Sequence, residues 1–273
     1  MKLYYRLCET TDPEERVEDA AMWKALHDEF GDEISLVGND DPVPEDGYLF
    51  GRGKRWSAEE TKVVLPVPDY LPYWTDPAFL RTCGRSFKVC DYEGAVAEVK
   101  RLHDEGKDAF VKAVESKLLT AKVPRGVSLD NALGDMIYSF LDMPASLMVQ
   151  EFVDMAYERR FVCINREIIT YSPVAAHLTP IDAIYGYAHF RRPSDRRPWT
   201  WDENLASRMY ETADNLAKTM ATPHAVIDLA VSNGAIIPIE FNPLRIGQFG
   251  LYVCNVREIA RAVRRNWHVS PNA

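Results

Sequence analysis

Apolar residues in this chain fall mostly into short runs of strand length, broken at intervals by longer stretches with helical spacing. Lys2 to Leu7 reads as a strand. Pro13 opens a helix to Phe30, with Val17, Ala20, Ala21, Met22, Leu26 and Phe30 recurring at roughly helical spacing. Short strands follow at Ile34 to Val37, Tyr48 to Phe50 and Lys62 to Val67. These elements predict a small α/β domain over residues 1–85. Pro66, Pro68, Pro72 and Pro77 predict an extended connector near its end. Next, Tyr92 to Glu105 carries an apolar face of Ala95, Val96, Val99 and Leu102 and stops at Gly106. Ala109 to Val114 and Leu147 to Val153 read as strands, and Ser128 to Phe140 as a helix. Arg160 to Ser172 reads as a hairpin across Asn165-Arg166. Trp201 to Met220 is a long helix, Ala225 to Gly250 contains a second hairpin, and Arg257 to Trp267 is a last helix. The order predicts an α/β unit followed by a mixed α+β half over residues 86–273.

Composition narrows what these elements build. A chain of 273 residues can bury a sizeable core in two or three subdomains. A net charge of −9 argues against the whole chain binding nucleic acid or an anionic membrane, and leaves a local basic patch open. Cys8, Cys83, Cys90, Cys163 and Cys254 are scattered without a CxxC pair. That pattern suits neither a zinc site nor a disulfide framework, and a cytoplasmic location is expected. The segment MKLYYRLCETTDPEER lacks the apolar core of a signal peptide. No apolar run approaches the ~20 residues that cross a bilayer, so no membrane association is expected.

The chemistry concentrates in the hairpin AVIDLAVSNGAIIPIEFNPLRIGQFG. Asp228 lies in its first strand, and Glu240 and Asn242 lie in the second. Residues two apart on a strand share a face, so Glu240 and Asn242 project together. Antiparallel pairing across Ser232-Asn233-Gly234 lets Asp228 sit beside Glu240. Three hard oxygen donors then converge, which suits magnesium bridging nucleotide phosphates. A carboxylate inside the run IIPIEF costs free energy unless something pairs with it, so a half-buried hairpin with incidental polar residues explains the pattern less well.

Other residues extend the pattern. Lys112, in DAFVKAVESK, either snorkels from a sheet edge or holds phosphate oxygens, with Lys117 as a second cation. LMVQEFV ends in Gln150-Glu151, where exposed backbone groups at a strand end suit a flat purine. Glu158 follows at a distance that suits a ribose. Arg160 shares its face, and a structural Glu158–Arg160 ion pair is the alternative.

Taken in order, FVKAVESK, ERRFV and VIDLA…IPIEFNPL resemble the motifs of the ATP-grasp superfamily. The match is closest to the small R2K-type ATP-grasp proteins of phages and bacteria, and it covers roughly Ala109 to Val263. The resemblance implies an ATP-grasp fold behind a small N-terminal α/β domain. It implies Lys112 and Lys117 at the ATP phosphates, with Lys88 as an earlier phosphate lysine. Gln150, Glu151 and Val153 would form the adenine hinge, mostly through backbone atoms, and Glu158 would hold the ribose. Arg160 would face the γ-phosphate and the developing acyl phosphate. Asp228, Glu240 and Asn242 would hold one or two Mg²⁺, and Arg245 a substrate carboxylate or phosphate. The sequence departs from larger relatives in lacking a glycine-rich lid: AVESKLLTAKVPRG has no glycine before Gly126. Lys117 and Lys122 therefore compete for the second phosphate role.

The implied activity is ATP-dependent carboxylate–amine ligation through an acyl phosphate, with release of ADP and phosphate. The alternatives are phosphoryl transfer to a hydroxyl on the same fold, or a nucleotide-binding module without turnover. The substrates would be small-molecule or peptide carboxylates and amines. Residues 185–199, YGYAHFRRPSDRRPW, hold Arg191, Arg192, Arg196 and Arg197. They suit an acidic or RNA acceptor or a modified nucleotide, although a solvated charge run is the more frequent origin of such a stretch. A homodimer is an open arrangement. His177, His189, His224 and His268 show no metal-ligand spacing.

Overall fold

The computed structural model describes residues 2–7, 13–38, 41, 47–51, 72–114, 119–134, 146–172, 203–244 and 254–267. The expected strand at 62–67, Cys8, Lys117, Arg245 and the 185–199 stretch lie outside them, as does the expected helix beyond residue 134.

The N-terminal unit is a three-stranded parallel sheet. Strand β1 (Lys2–Arg6) lies between β2 (Ile34–Val37) and β3 (Gly47–Gly51). Helix α1 (Pro13–Phe30) joins β1 to β2 and buries Met22, Leu26 and Phe30 against Leu3, Tyr5 and Phe50. This core does not close on itself. Helix α6 (Val256–Trp267) adds Ile259, Ala260 and Val263, and the third sheet adds Val162, Ile164 and Val226.

Before the second sheet, a 3-10 turn (Tyr73–Thr75) leads into α2 (Pro77–Thr82). Asp76 caps this helix, its Oδ1 accepting from Ala78 N at 2.8 Å, and Pro77 opens it. The other carboxylate oxygen, Oδ2, accepts from Ala221 N at 2.8 Å, tying the helix to the distant end of α5 (Glu203–Thr219). Tyr73, Phe79 and Cys83 thus pack in the core of the C-terminal half, although they precede residue 85.

The second sheet has the order β4 (Phe87–Cys90), β7 (Leu147–Glu151), β5 (Ala109–Ala113), β6 (Thr120–Val123), with every neighbour antiparallel. One face carries Ala109, Val111, Ala113 and Val149 against α3 (Tyr92–Asp104) and α4 (Leu129–Leu133). The register places Phe110, Lys112, Met148 and Gln150 on the other face.

The third sheet has the order β11 (Ala235–Asn242), β10 (Ala225–Ser232), β8 (Ala156–Ile164), β9 (Glu167–Tyr171), also antiparallel. Helix α5 covers one face, packing Met209, Ala213 and Leu216 on Phe161, Ile227, Leu229 and Phe241. The opposite face carries the polar residues of the site.

The expected elements within the described residues are present, with ends shifted by a few positions. Strands β4 and β6 and helix α2 were not expected. β4 and β6 are four-residue edge strands, FKVC and TAKV, too short and too polar to show an apolar period. The helix start Asp76-Pro77 was present in the sequence, but among several prolines it read as connector.

Candidate functional site

The site starts from a row of three residues across the third sheet. Arg160 on β8 pairs in register with Asp228 on β10, and Asp228 pairs with Glu240 on β11. Two irregularities flank this row. On β11 the register shifts between Asp228 and Leu229, leaving Ile239 as the extra residue. On β8 it shifts between the partners of Leu229 and Val231, where Tyr157 adopts φ 57. Bulges re-aim side chains, and here two of them sit within three residues of one carboxylate.

Apolar residues bound the row on both sides. Val153, Met155, Ala230, Ile237 and Ile239 cluster beyond one end, and Val162, Val226 and Leu244 lie at the other. The carboxylates therefore sit in a region of low polarisability, where each needs a charged or hydrogen-bonding partner. Asp228 is 1% exposed. Arg160 forks it, with Nε to Oδ1 at 2.8 Å and Nη2 to Oδ2 at 2.7 Å. Asn242 Nδ2 donates to Asp228 Oδ2 at 3.3 Å and to Glu240 Oε1 at 2.9 Å. Glu158, two residues before Arg160, is buried as well.

The second sheet meets this row through Lys112. Its Nζ lies 3.2 Å from Glu240 Oε2 and 5.0 Å from the centre of the Tyr73 ring. Burial works to lower the Lys112 ammonium, but Glu240 and Tyr73 prevail and hold its pKa above the ordinary value. Burial raises the Tyr73 hydroxyl, which donates to Met148 Sδ at 3.5 Å.

Arg85 makes a second bridge between the sheets, and sequence reasoning missed it. Its Nε donates to Gln150 Oε1 at 2.8 Å, at the end of β7. Its Nη1 donates to Pro238 O at 2.8 Å and Cys83 O at 3.1 Å, and its Nη2 to Ile239 O at 2.8 Å. Burial pulls this guanidinium below its ordinary pKa, against the influence of Cys83, Tyr73 and Glu240. Gly84, at φ +64, makes the turn that points Arg85 inward. The Gly84-Arg85 pair was the signal available in the sequence.

The remaining expected residues divide. Gln150, Glu151 and Val153 lie together at the end of β7 and just after it. Glu151 N donates to Ser86 O at 3.1 Å, and Phe152 N to Asp108 O at 2.9 Å. The Glu151 side chain pairs with Lys107 at 3.1 Å. Lys122 shares the Lys112 face of its sheet and lies 3.9 Å from the Phe152 ring centre. Lys88 is not brought to this group. It pairs in register with Val149 on the α3 face, is exposed, and feels the charge of Glu98.

The donor set fits a hard divalent cation. Asp228 and Glu240 supply carboxylate oxygens, and a half-turn of the Asn242 amide presents Oδ1 in place of Nδ2. Among the described residues no group of three or more His, Cys, Asp or Glu side chains could hold a metal. The set here is two carboxylates and an amide. Cys83, Cys90, Cys163 and Cys254 are free, and burial pushes the thiols of Cys163 and Cys254 up to about 12. None of the described helices is long and apolar enough to cross a membrane.

No protein-family model matches the chain, and no curated protein matches its sequence. Solved structures do. D-cycloserine synthetase DcsG aligns over 97% of this chain and 99% of its own, with a TM-score of 0.58 at 12% identity. D-alanine–D-alanine ligase from Bacillus anthracis aligns over 98% of this chain and 97% of its own, with a TM-score of 0.57 at 10% identity. The ATP-grasp ligase PsnB, complexed with a minimal precursor, aligns over 97% and 99%, with a TM-score of 0.56 at 13% identity. The fold of this chain is the mixed α/β fold of ATP-grasp ligases.

Proposed function

We propose that the protein is an ATP-dependent carboxylate–amine ligase that works between its two four-stranded sheets. The observation that carries this reading is the row Arg160–Asp228–Glu240, with Lys112 reaching Glu240 from the facing sheet. ATP-grasp ligases of the same fold support it. The Bacillus anthracis ligase is known complexed with ATP, and PsnB with its minimal precursor, Mg and ADP. The FVK, ERRFV and EFNPL motifs resemble those of the small R2K-type ATP-grasp proteins, and that resemblance is part of this reading.

In this reading the purine lies at the end of β7, against backbone groups of Gln150 to Val153. Val153, Met155, Ile237 and Ile239 give it an apolar floor and keep water out. Glu158 holds the ribose. Lys112 moves from Glu240 to the phosphate oxygens, with Lys122 or Lys117 beside it. Asp228, Glu240 and Asn242 would hold magnesium, which would supply positive charge to offset the phosphate oxygens. Arg160, fixed by its fork on Asp228, presents its positive charge to the transferring phosphoryl group. A substrate carboxylate, held by Arg245, attacks the γ-phosphorus, and the bond to the bridging oxygen breaks to leave ADP. The amine then attacks the acyl phosphate carbon, the bond from that carbon to the phosphate oxygen breaks, and phosphate leaves as the nitrogen gives up a proton. The carboxylate and the amine belong to small molecules or a peptide, and the charge of Arg191, Arg192, Arg196 and Arg197 suits an acidic acceptor.

The test has two stages. Mg·ATP at millimolar concentration raises the melting temperature, because a ligand that binds only the native state stabilises it. An ADP-release screen with amino acids, peptides and RNA then identifies substrates, and mass spectrometry of the product reads the bond formed. An amide supports the ligase, whereas a stable phosphorylated product replaces it with a phosphotransferase. No thermal shift in folded protein removes the ATP site altogether.

A further inference from the structure

We infer that Arg85 is a positioning residue that couples the purine end of the site to its metal end, by gripping the β11 bulge with one side of its guanidinium and Gln150 with the other. The inference rests on the functional reading above and adds a residue which that reading does not use.

The geometry is specific. In a regular strand, consecutive carbonyls point toward opposite edges, so one guanidinium cannot donate to both. At the bulge the extra residue Ile239 breaks that alternation. Arg85 takes the carbonyls of Pro238 and Ile239 together, each at 2.8 Å. Pro238 has no N–H to offer, and a proline inside a strand is tolerated at an edge or a bulge. β11 is the edge strand, so these carbonyls lie open to a partner from outside the sheet. The grip matters because the bulge decides which residue stands opposite Asp228. Without the extra residue Asp228 would face Ile239, and with it Asp228 faces Glu240. On its other side Arg85 Nε holds Gln150, whose neighbours form the β7 end.

A buried guanidinium is an expensive fastener. Arg85 is 9% exposed, and its four described hydrogen bonds all go to neutral oxygens. Apolar side chains of similar volume would hold the two sheets together at lower cost. What they cannot do is fix direction, and a planar fork fixes two carbonyls and an amide in one plane. A shift of Gln150 on purine binding is therefore transmitted to the backbone on which Glu240 is mounted.

The consequence is a coupling between nucleotide and metal that depends on Arg85. ADP binding is measured by calorimetry in excess EDTA and again with saturating Mg²⁺, and the ratio of the two affinities is the coupling factor. In Arg85→Lys, which keeps the charge and loses the fork, the factor falls by about 5-fold or more while metal-free ADP affinity holds within about 2-fold. In Arg85→Ala, millimolar guanidinium restores part of it. Gln150→Leu, which keeps the grip on β11 and cuts the link to β7, lowers the factor as well. It gives the answer where the Arg85 variants do not fold. A wild-type factor in folded Arg85→Lys, or in Gln150→Leu, overturns the inference. A wild-type protein that binds no ADP strikes the functional reading instead, so the two failures are distinct.

Discussion

Lys112 and Glu240 stand on different sheets, and their ion pair, 3.2 Å between Nζ and Oε2, spans the gap in which the nucleotide is proposed to sit. The ammonium occupies the carboxylate that a divalent cation would need. In the proposed mechanism metal and lysine therefore compete for Glu240 until phosphate oxygens draw the lysine away. In Lys112→Met that competition is gone. Mg²⁺ or Mn²⁺ alone is expected to raise its melting temperature, and to raise that of the wild-type protein less. The same variant should need more ATP to reach half-maximal rate if, as proposed, Lys112 contacts phosphate in the ground state. Equal metal shifts in both proteins would show that Lys112 does not guard the site.

Glu240→Gln keeps the side-chain volume and removes one ligand charge. Turnover is expected to fall by at least ~100-fold, with the protein still folded by circular dichroism. Near-normal ADP release in this variant would take Glu240 out of the chemistry.

Arg160→Met tests a different link. It leaves Asp228 buried without the guanidinium that forks both its oxygens. Breaking a buried pair from one side costs about 3–5 kcal/mol, so denaturant unfolding should move by an amount of that order. The added substitution Asp228→Asn should recover part of this loss, which a double-mutant cycle would measure. In the proposed mechanism Arg160 also faces the transferring group, so its loss should lower kcat more than nucleotide affinity, read on the folded fraction.

The Asp228–Glu240 pairing illustrates how far a sequence can be read. The turn Asn233-Gly234, with φ of 51 and 79, is the two-residue kind that fixes hairpin register, and Asn-Gly announces it. Counting outward from it gives Ser232 opposite Ala235 and Leu229 opposite Pro238, as observed. The next step gives Asp228 opposite Ile239, which is wrong by one. Only the bulge brings Glu240 into line, and Pro238 was its one local sign. Lys112, Asp228, Glu240 and Asn242 were legible because each is a polar residue in an apolar strand, an anomaly visible within a few positions. Arg85 was not, because its partners Gln150 and Pro238 lie 65 and 153 residues away. The face occupied by Lys88 was equally hidden, since it depends on the pairing of an unexpected edge strand.

Stability should also fall on mild acidification, with His224 contributing. Burial, and then Arg166, lower its pKa in the fold from 6.5. Its Nδ1 accepts from Asn165 N at 2.9 Å at the turn between β8 and β9, which requires the neutral ring. The unfolded chain binds the proton more readily, so this contribution is full above 6.5 and is lost as pH falls through that value toward the folded pKa. His224→Gln, which keeps an acceptor and cannot titrate, should lose less melting temperature than wild type between about pH 7.5 and about pH 5.5. Parallel losses in both proteins would assign the effect to other groups.

The core shared by β1, α1 and α6 has a bearing on how the chain assembles. Leu3, Tyr5 and Leu26 pack in one cluster with Ile259 and Val263, so the first unit cannot finish burying its apolar core until α6 has emerged from the ribosome. The middle of the chain can fold sooner, since β5, β7 and α3 find their partners within a short span of sequence. Synthesis therefore leaves the parallel sheet and α1 with an unfinished core, and a ribosome stalled before residue 256 presents chaperones with an incomplete first unit beside a formed second sheet.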